Sequence, residues 1–334
     1  MSKKINYLTF SLLVCLLFSC NGHNKFIGKK FLLTPVGAPT LAIYDEVSKN
    51  KEVETTSTTT EVSSALLTND YKYLIFDAIT AQNLIKTKKS NYTFLKLLTG
   101  GNFHLIGINK NKDDLPTKED YIIGFGSENN IPVKAFRKLY SEAVNDNDNE
   151  IKTFDEMASN ITDLSTLIKA MDSSGKIGEN KIDWIFIAQP ALFTLLSAKT
   201  SDGEFLPFKS LATVDIDIRN TFKEKFNSDY IPQAGLFVNN YYYDENKEEV
   251  ATFSSKVDQY LNDAIYDSSK VVDSINSYSN DLNEQKARFG YNSKVINALQ
   301  GQKEGKYLNQ FGIVDPKSNY TLDKMDEFVK LLNN

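Results

Sequence analysis

The sequence predicts an α/β protein in which two doubly wound sheets form two lobes. From residue 31 onward, short apolar strand-like runs alternate with longer amphipathic helix-like runs, an order typical of sheets covered by helices. The run YKYLIFDAI, which begins at Tyr71, is apolar at adjacent positions, as expected for a strand that is buried on both faces. The 334 residues, 41% of them hydrophobic, are enough for one large domain or two smaller ones.

The first residues precede this pattern and have a different character. Lys3 and Lys4 come before the apolar run of residues 8–18, which is too short to span a bilayer but suits the apolar region of a signal peptide. The run ends in LFSC, which resembles a bacterial lipobox, although Phe18 stands where that pattern prefers a small residue. We expect a signal peptide over 1–19 and a lipidated tether over 20–30, with Cys20 as the acylated residue. An uncleaved anchor or ordinary secretion are the alternatives.

Residue counts limit the chemistry of the remaining chain. Cys15 and Cys20 are the two cysteines, so no disulfide, thiol nucleophile or cysteine metal site is expected after residue 20. His23 falls in the tether, and His104 falls in a strand-like run, where we expect it to be packed or to face a ligand. These counts disfavour a Ser-His-Asp triad, a His-rich zinc site and a Cys-His dyad. We expect no catalytic residue, no metal and no cofactor. The net charge of −5 argues against nucleic acid or an anionic membrane surface as a partner.

The elements of the first lobe are expected over residues 31–110. The predicted strands begin with KFLLTPV and continue with YKYLIFDAI, TFLKLLT and FHLIGIN, and the predicted helices cover 39–49, SSALLTN and TAQNLIKTK. The polar run TTSTTTEV, residues 55–62, is interpreted as a solvated loop. The polar, proline-containing stretch 109–120 is interpreted as the crossing to the second lobe.

The second lobe is expected over residues 111–235. Its predicted strands are YIIGFG, EIKTF, IDWIFIAQP and, as a strand or sheet edge, FLPFKSLATVDI. Its predicted helices are IPVKAFRKLYSEA, DLSTLIKAM and ALFTLLSA. IPQAGLFVN, residues 231–239, is interpreted as the return crossing, and residues 236–334 complete the first lobe with mostly helical structure.

Several loops at the predicted carboxyl ends of strands are candidates for ligand contact, because ligands bind at these ends in open α/β sheets. In TPVGAPT, Gly37 permits close approach of a ligand and Pro39 suits the first turn of a helix, whose N–H groups, with Thr40 nearby, could hold a polar or anionic group. FDAIT, GGN, GFGSEN and AQP occupy similar positions. GFGSEN lacks the third glycine and the Lys-Ser/Thr ending of a nucleotide loop. Each loop alone is better explained by structure than by function, but four such loops at the facing edges of two lobes together indicate a binding site.

Together with the lipobox, the motifs GAPT, FDAIT, TGGNFHLIGI, IIGFGSEN, IAQP, YIPQAGLFVNNYYYDENKEEVATF and FGIVDP resemble the substrate-binding proteins of ABC importers. The nearest branch is the type 2 periplasmic-binding-protein group that includes receptors for nitrate, sulfonate, taurine and thiamine precursors. The resemblance covers nearly the whole chain from about residue 30. It implies a two-lobed fold with a ligand cleft between two doubly wound sheets, a small-molecule solute, permease subunits as partners, and a monomer tethered by lipid at the bacterial cell envelope.

The resemblance also implies a set of ligand-contacting residues. They lie in loops that follow the strands and at the hinge: Gly37, Ala38, Pro39, Thr40, Asp77, Thr80, Gly101, Asn102, Gly126, Ser127, Glu128 and Gln189. FDAIT departs from the proline and asparagine that the family tends to have there, which puts Asp77 and Thr80 in doubt. Neither Arg137 nor Arg219 falls in a predicted contact loop, which disfavours a strong anion, while a flat heterocycle or another small polar solute remains open.

Two other function classes compete with a solute receptor. A surface lipoprotein for host or matrix interaction, derived from such a receptor, would share the lipobox and the fold. An enzyme is a weaker alternative, since the related enzyme that makes a thiamine pyrimidine uses a histidine and a cysteine-rich motif, and this chain has no cysteine after residue 20.

Overall fold

The computed structural model describes residue 26 and residues 28–117, 119–124, 131–140, 164–300 and 311–333. Its first sheet has the strand order β2-β1-β3-β11-β4. These strands are β1 (Lys30–Pro35), β2 (Val53–Thr56), β3 (Tyr71–Asp77), β4 (Tyr92–Leu97) and β11 (Ala234–Asn239). β1 pairs in parallel with β2 and β3, whereas β11 runs antiparallel to its neighbours β3 and β4. The carboxyl ends of β1, β2, β3 and β4 therefore lie along one edge.

The second sheet has the strand order β10-β5-β9-β6. Its strands are β5 (Phe103–Ile108), β6 (Ile122–Gly124), β9 (Trp184–Ala188) and β10 (Ala212–Asp217), and a small hairpin is formed by β7 (Lys176–Ile177) and β8 (Asn180–Lys181). β6 and β9 are parallel, and β5 runs antiparallel to β9 and β10. The ends of β6, β9 and β10 and the start of β5 consequently share one edge.

Helices connect and cover the strands. In chain order they are α1 (Ala38–Leu41), α2 (Tyr44–Lys49), α3 (Thr59–Leu66), α4 (Ala78–Lys86), α5 (Ile131–Leu139), α6 (Leu164–Lys169), α7 (Ala191–Ser197), α8 (Pro207–Leu211), α9 (Ile218–Phe226), α10 (Asn240–Glu245), α11 (Lys247–Tyr266), α12 (Ser268–Tyr278), α13 (Leu282–Phe289), α14 (Ser293–Gln300) and α15 (Leu322–Asn333). Among the described residues, no helix combines the length and the apolarity needed to cross a membrane.

Both faces of each sheet are packed, which explains the adjacent apolar residues of the strands. In β3, Tyr73 and Ile75 belong to one buried cluster, and Leu74 and Phe76 belong to the cluster on the opposite face. In β5 of the second sheet, Leu105 and Ile106 likewise lie in two different clusters. A strand that is buried on both faces cannot alternate between apolar and polar residues. The predicted doubly wound α/β class is confirmed.

Three backbone segments connect the two sheets side by side: residues 98–101, 230–234 and 311–314, called here the crossing segments. Leu98 N donates to Ala234 O at 2.8 Å, and Ile231 N donates to Gly100 O at 3.0 Å. Gly100 N donates to Gly312 O at 2.6 Å, so residues 98–101 lie between the other two segments. Every crossing is thus held by backbone hydrogen bonds to its neighbour.

The crossings differ in position from those expected. The sequence assigns Phe103–Ile108 to the first lobe, but the structure pairs this strand with β9 and β10 of the second sheet. The stretch 109–120 is instead a surface loop, in which Asp114 accepts from Asn111 N and Asp120 accepts from Thr117 N. The polar composition of 109–120 therefore reflects an exposed loop with turns. The chain passes from the first sheet to the second before this loop, at residues 98–102.

Three further expectations are changed by the structure. FLPFKSLATVDI, expected to be a strand or edge, begins as helix α8, since Pro207 occupies the first helical turn, and only Ala212–Asp217 forms a strand. VETT forms the edge strand β2, and its last two residues, Thr55 and Thr56, belong to the run that the sequence assigns to a solvated loop. IPQAGLFVN crosses only in its first residues, and the remainder is β11, in the interior of the first sheet. The predicted strand EIKTF lies outside the described residues.

Candidate functional site

The loops that follow the strands of both sheets meet at the crossing segments. Ala78 N, directly after β3, donates to Gln233 O at 2.7 Å. The side chain of Gln233 then reaches the second sheet, because its Oε1 accepts from Gly101 N at 3.0 Å. Gln233 therefore connects the edge of the first sheet to the start of the second, and this junction is the candidate site.

The first loop of the site is GAPT, and its glycine has a conformational role. Gly37 adopts φ 101° and ψ −146°, a region that is essentially restricted to glycine. Nothing lies within 4 Å of the place where a Cβ would be, so the backbone conformation and not crowding requires glycine there. Gly37 N donates to Phe289 O at 2.8 Å. The sharp turn after β1 is thus anchored to the end of α13.

Thr40 is occupied by internal contacts. Its side chain is fully buried, and Oγ1 lies 2.8 Å from Gly37 O and 2.7 Å from Phe289 O. Thr40 N also donates to Gly37 O, and Pro39 has no N–H. The start of this four-residue helix therefore does not offer the set of N–H groups and the hydroxyl that the sequence suggested for an anion. Ala38 is buried at the same turn, and Pro39 is half-buried.

The second loop is centred on Asp77, the last residue of β3. Asp77 Oδ1 accepts from Thr80 N at 2.7 Å and caps helix α4. The residue keeps some solvent access at the sheet edge, yet the carboxyl group is closely surrounded, and desolvation raises the pKa of Asp77 despite the hydrogen bonds from Thr80 and Ile79. Thr80 is exposed one turn further on.

Gly101 and Asn102 lie at the entry to β5, next to the end of β9. Asn102 Nδ2 donates to Gln189 O at 2.8 Å, and Gln189 N donates to Asn102 O at 2.9 Å. Gln189 Oε1 accepts from Phe193 N, at the start of α7. The structure thus brings Gly101, Asn102 and Gln189 together, with both amide side chains buried.

Four of the predicted residues cannot be placed. Gly126, Ser127 and Glu128, which the resemblance puts in a contact loop of the second lobe, lie outside the described residues, as does Cys20. The described residues place β6, which ends at Gly124, beside β9 with its end at the same edge.

Sequence reasoning missed several residues at this junction. The TTSTTT run begins within β2, and Thr56 O accepts from Val36 N at 2.9 Å, so this end of β2 lies beside the GAPT turn. Gln233 was not singled out, although it follows the proline of a predicted crossing. Arg219 was placed outside the contact loops, but its Cβ would lie only 3.1 Å from a Cβ added to Gly101. Phe193 reaches across from α7 and packs against the core of the first lobe.

His104 and the acidic residues show no metal-binding arrangement. His104 is buried in β5, and its Nδ1 lies 2.8 Å from Asp215 Oδ1 on the neighbouring strand. No group of three or more His, Cys, Asp or Glu side chains in the described parts of the chain could hold a metal ion. His104 thus has the packed position that was one of its two expected roles.

Comparison with known proteins identifies the architecture. No protein-family model matches the sequence, and no curated protein matches it significantly. Among solved structures, an ABC transporter protein from Parabacteroides distasonis has a TM-score of 0.57 at 12% identity, with 91% of each chain covered. The periplasmic aliphatic sulphonate binding protein of Escherichia coli has a TM-score of 0.53 at 11% identity, with 92% of this chain and 91% of that chain covered. A ligand binding component of an ABC-type import system from Staphylococcus aureus, solved with zinc bound, has a TM-score of 0.50 at 10% identity and covers 91% of this chain and 90% of its own.

At these identities the likeness establishes the fold. The two sheets, the three crossing segments and the similar structures define a type 2 periplasmic-binding-protein fold. Asp77 is the last residue of β3, Gln189 follows β9, and Gly101 comes just before β5, so these three residues lie at the sheet edges that the crossing segments connect.

Proposed function

We propose that the protein is the extracytoplasmic solute-binding component of an ABC importer, which captures a small polar solute between its lobes and delivers it to a permease. The observation that carries the proposal is that both sheet edges meet at the three crossing segments, in which residues 98–101 run antiparallel to the other two. A ligand that contacts both edges binds the closed arrangement better than the open one, and this differential affinity is sufficient to drive closure. No nucleophile or acid–base pair is needed for this role.

Contacts between the lobes support hinge closure. Phe193, on the helix that follows β9, packs against the first core, and helix α7 contacts helix α14 of the first lobe. The same residue donates its backbone N–H to Gln189, a predicted ligand contact. Movement of the Gln189 turn would therefore be transmitted to the packing between the lobes. We propose the two lobes as 31–98 with 234–300 and 102–230, with the crossing segments between them.

The proposal is tested by identifying what the protein carries. The full chain is purified without dialysis against solutes and denatured, and the released small molecules are identified by mass spectrometry. The identified molecule, added back to protein freed of ligand, should raise the melting temperature in proportion to the logarithm of its concentration. A protein that releases nothing, and whose melting temperature is unchanged by a broad metabolite screen, would instead favour the host-contact or matrix-contact lipoprotein.

Membrane attachment through Cys20 is the second part of the proposal, and it rests on the LFSC sequence. Cells that express the chain and are fed an alkyne-labelled palmitate should yield a labelled protein in the membrane fraction. Cys20→Ala should abolish the label and release the protein from that fraction, whereas Cys15→Ala, within the apolar run, should change neither. A labelled Cys20→Ala variant would show that the lipobox interpretation is wrong.

A further inference from the structure

Asp77 lies at the junction of the two sheets and brings a carboxyl group there. It is the last residue of β3 and pairs with Ala234, and the next residue donates its N–H to Gln233 O. Gln233 in turn accepts from Gly101 N of the second sheet's entry segment. The backbone of Asp77 and of the residue after it is therefore paired with the crossing segment 230–234.

The two carboxylates of the described chain whose residues are buried each have a lysine as partner. Glu46 Oε1 lies 2.5 Å from Lys256 Nζ, and Asp263 Oδ1 lies 2.8 Å from Lys270 Nζ. Within the described residues, by contrast, no lysine, arginine or histidine nitrogen lies within 4 Å of Asp77, whose hydrogen bonds come from Thr80 and Ile79 at the start of α4. A closely surrounded carboxylate without a cation is costly, so proteins generally pair it.

Apart from the start of α4, the other described residues of the junction bring no free positive charge to an ionised Asp77. Asn102, Gln189 and Gln233 contribute neutral amides. Arg219 is the cation that packs against Gly101, but its guanidinium stacks on the Tyr230 ring at 4.6 Å, and its Nε donates to a backbone carbonyl. Desolvation raises the pKa of Asp77, in agreement with an environment that does not stabilise its ionised form.

We propose that the solute carries a protonated amine and that Asp77 is the residue that pairs with it. This inference rests on the proposed function, which it deepens by giving the charge of the solute. The amine would supply the cationic partner that Asp77 lacks among the described residues. The neutral amides and the hydroxyl groups of Ser57 and Thr58, after β2, would bind the other polar groups of the solute. A charge-assisted hydrogen bond of this kind also favours closure, because it strengthens when water is excluded.

The first test uses the protein without added solute. Asp77→Asn keeps an effective helix cap but removes the charge. An uncompensated carboxylate that serves a ligand predicts a higher melting temperature for Asp77→Asn than for the wild type. Asp281→Asn is the matched control, because Asp281 is an exposed cap of helix α13, and it should show no such rise. A melting temperature of Asp77→Asn that is equal to or below that of the wild type would mean that the carboxylate is structural, and it would overturn the proposal.

The second test measures binding on full-length protein that has been freed of ligand. The probes are three amines, ethanolamine, putrescine and choline, and three anions, ethanesulfonate, succinate and nitrate, together with any co-purified molecule. We expect an amine to bind and Asp77→Asn to weaken it by about tenfold or more, the value of a hydrogen bond to a charged group, with Asp281→Asn unchanged.

The outcomes separate this inference from the proposed function. An anion that binds equally well to the wild type and to Asp77→Asn would overturn the assignment of charge and leave the solute receptor intact. If no probe binds and nothing co-purifies, the receptor proposal fails and this inference fails with it.

Discussion

Gly290 provides the sharpest test of how the GAPT loop is held in place. It ends helix α13 with φ +85°, and a Cβ added there would lie 2.4 Å from Gly37 N and 2.8 Å from Gly37 Cα. Both are backbone atoms, so the contact cannot be relieved by rotation of a side chain. Gly203 has the same φ of +85° with nothing within 4 Å of its added Cβ, and it therefore isolates the conformational cost.

The expected magnitudes follow from these two environments. Alanine in a left-handed conformation costs about 1–2 kcal/mol, and the smaller freedom of its unfolded chain returns about 0.4–1 kcal/mol. Gly203→Ala should therefore lower the free energy of unfolding by about 1 kcal/mol. Gly290→Ala should have the same conformational cost. It should also break the hydrogen bond from Gly37 N to Phe289 O and strain the turn, so its free energy of unfolding should fall by about 3 kcal/mol in total.

Urea unfolding of both variants, followed by far-ultraviolet circular dichroism, measures this difference. The co-purified solute should also bind more weakly to Gly290→Ala, because the GAPT turn is displaced, and equally well to Gly203→Ala. Equal stability of the two variants would refute the reasoning, since it would mean that the α13 terminus and the GAPT turn are not in contact.

Three further substitutions test the junction and its surroundings. Asn102→Ala should weaken solute binding about tenfold, since it removes the amide that holds the Gln189 turn, at a stability cost of about 1 kcal/mol, measured by calorimetric titration and urea unfolding. Phe193→Ala should favour the open form and increase the radius of gyration of the solute-free protein, measured by small-angle X-ray scattering. The pKa of Asp120 is lowered, because hydrogen bonds from Lys110, the Thr117 N–H and Trp184 Nε1 outweigh desolvation. The stability it contributes is present above its unfolded pKa and is lost as the pH falls through the folded pKa, so Asp120→Asn should remove an acid transition in tryptophan emission.

Each of these has its own control. Asn246 donates its Nδ2 to a backbone carbonyl at 2.9 Å, far from the junction, so Asn246→Ala should match the stability loss of Asn102→Ala and leave affinity unchanged. Phe205 is an exposed aromatic residue of the second lobe, and Phe205→Ala should leave the radius of gyration as it is. For Asp120, an unaltered acid transition in the asparagine variant would assign that transition to another carboxyl group.

The sheet strands could be predicted where burial on both faces left an uninterrupted apolar run. YKYLIFD and WIFIA are such strands, and their assignments follow from the residues alone. VETT could not be recognised, because a four-residue edge strand whose two ends are buried and whose two middle residues are half-buried has too short a pattern. The crossing at 98–102 could not be recognised either. Leu98 and Thr99 are as buried as residues inside a strand, so no exposed polar run marks the place where the chain leaves the first sheet.

Some features of the candidate site could likewise be predicted from the sequence, and others could not. The carboxyl ends of strands drew attention to Gly37, Asp77 and Gln189, and the structure places these at the two edges that face each other. The occupation of Thr40 could not be foreseen, since its partner Phe289 is 249 residues away and nothing local indicates the contact. The proximity of Arg219 to Gly101 could not be predicted either, because the two residues are far apart in the sequence and only the pairing of β10 with β5 brings them together.

The position of β11 between β3 and β4 has a consequence for the order in which the chain can fold. β3 and β4 do not pair with each other, so the first sheet stays incomplete until residues 234–239 are present. The strands of the second sheet all lie within residues 103–217, and that lobe can therefore complete itself earlier as a chain emerges from its amino end. A chain exported in this direction would hold an unfinished first lobe, with the inner edges of β3 and β4 unpaired, during the whole passage of the second. Export of such a protein calls for protection of these two edges until the last third of the chain has been delivered.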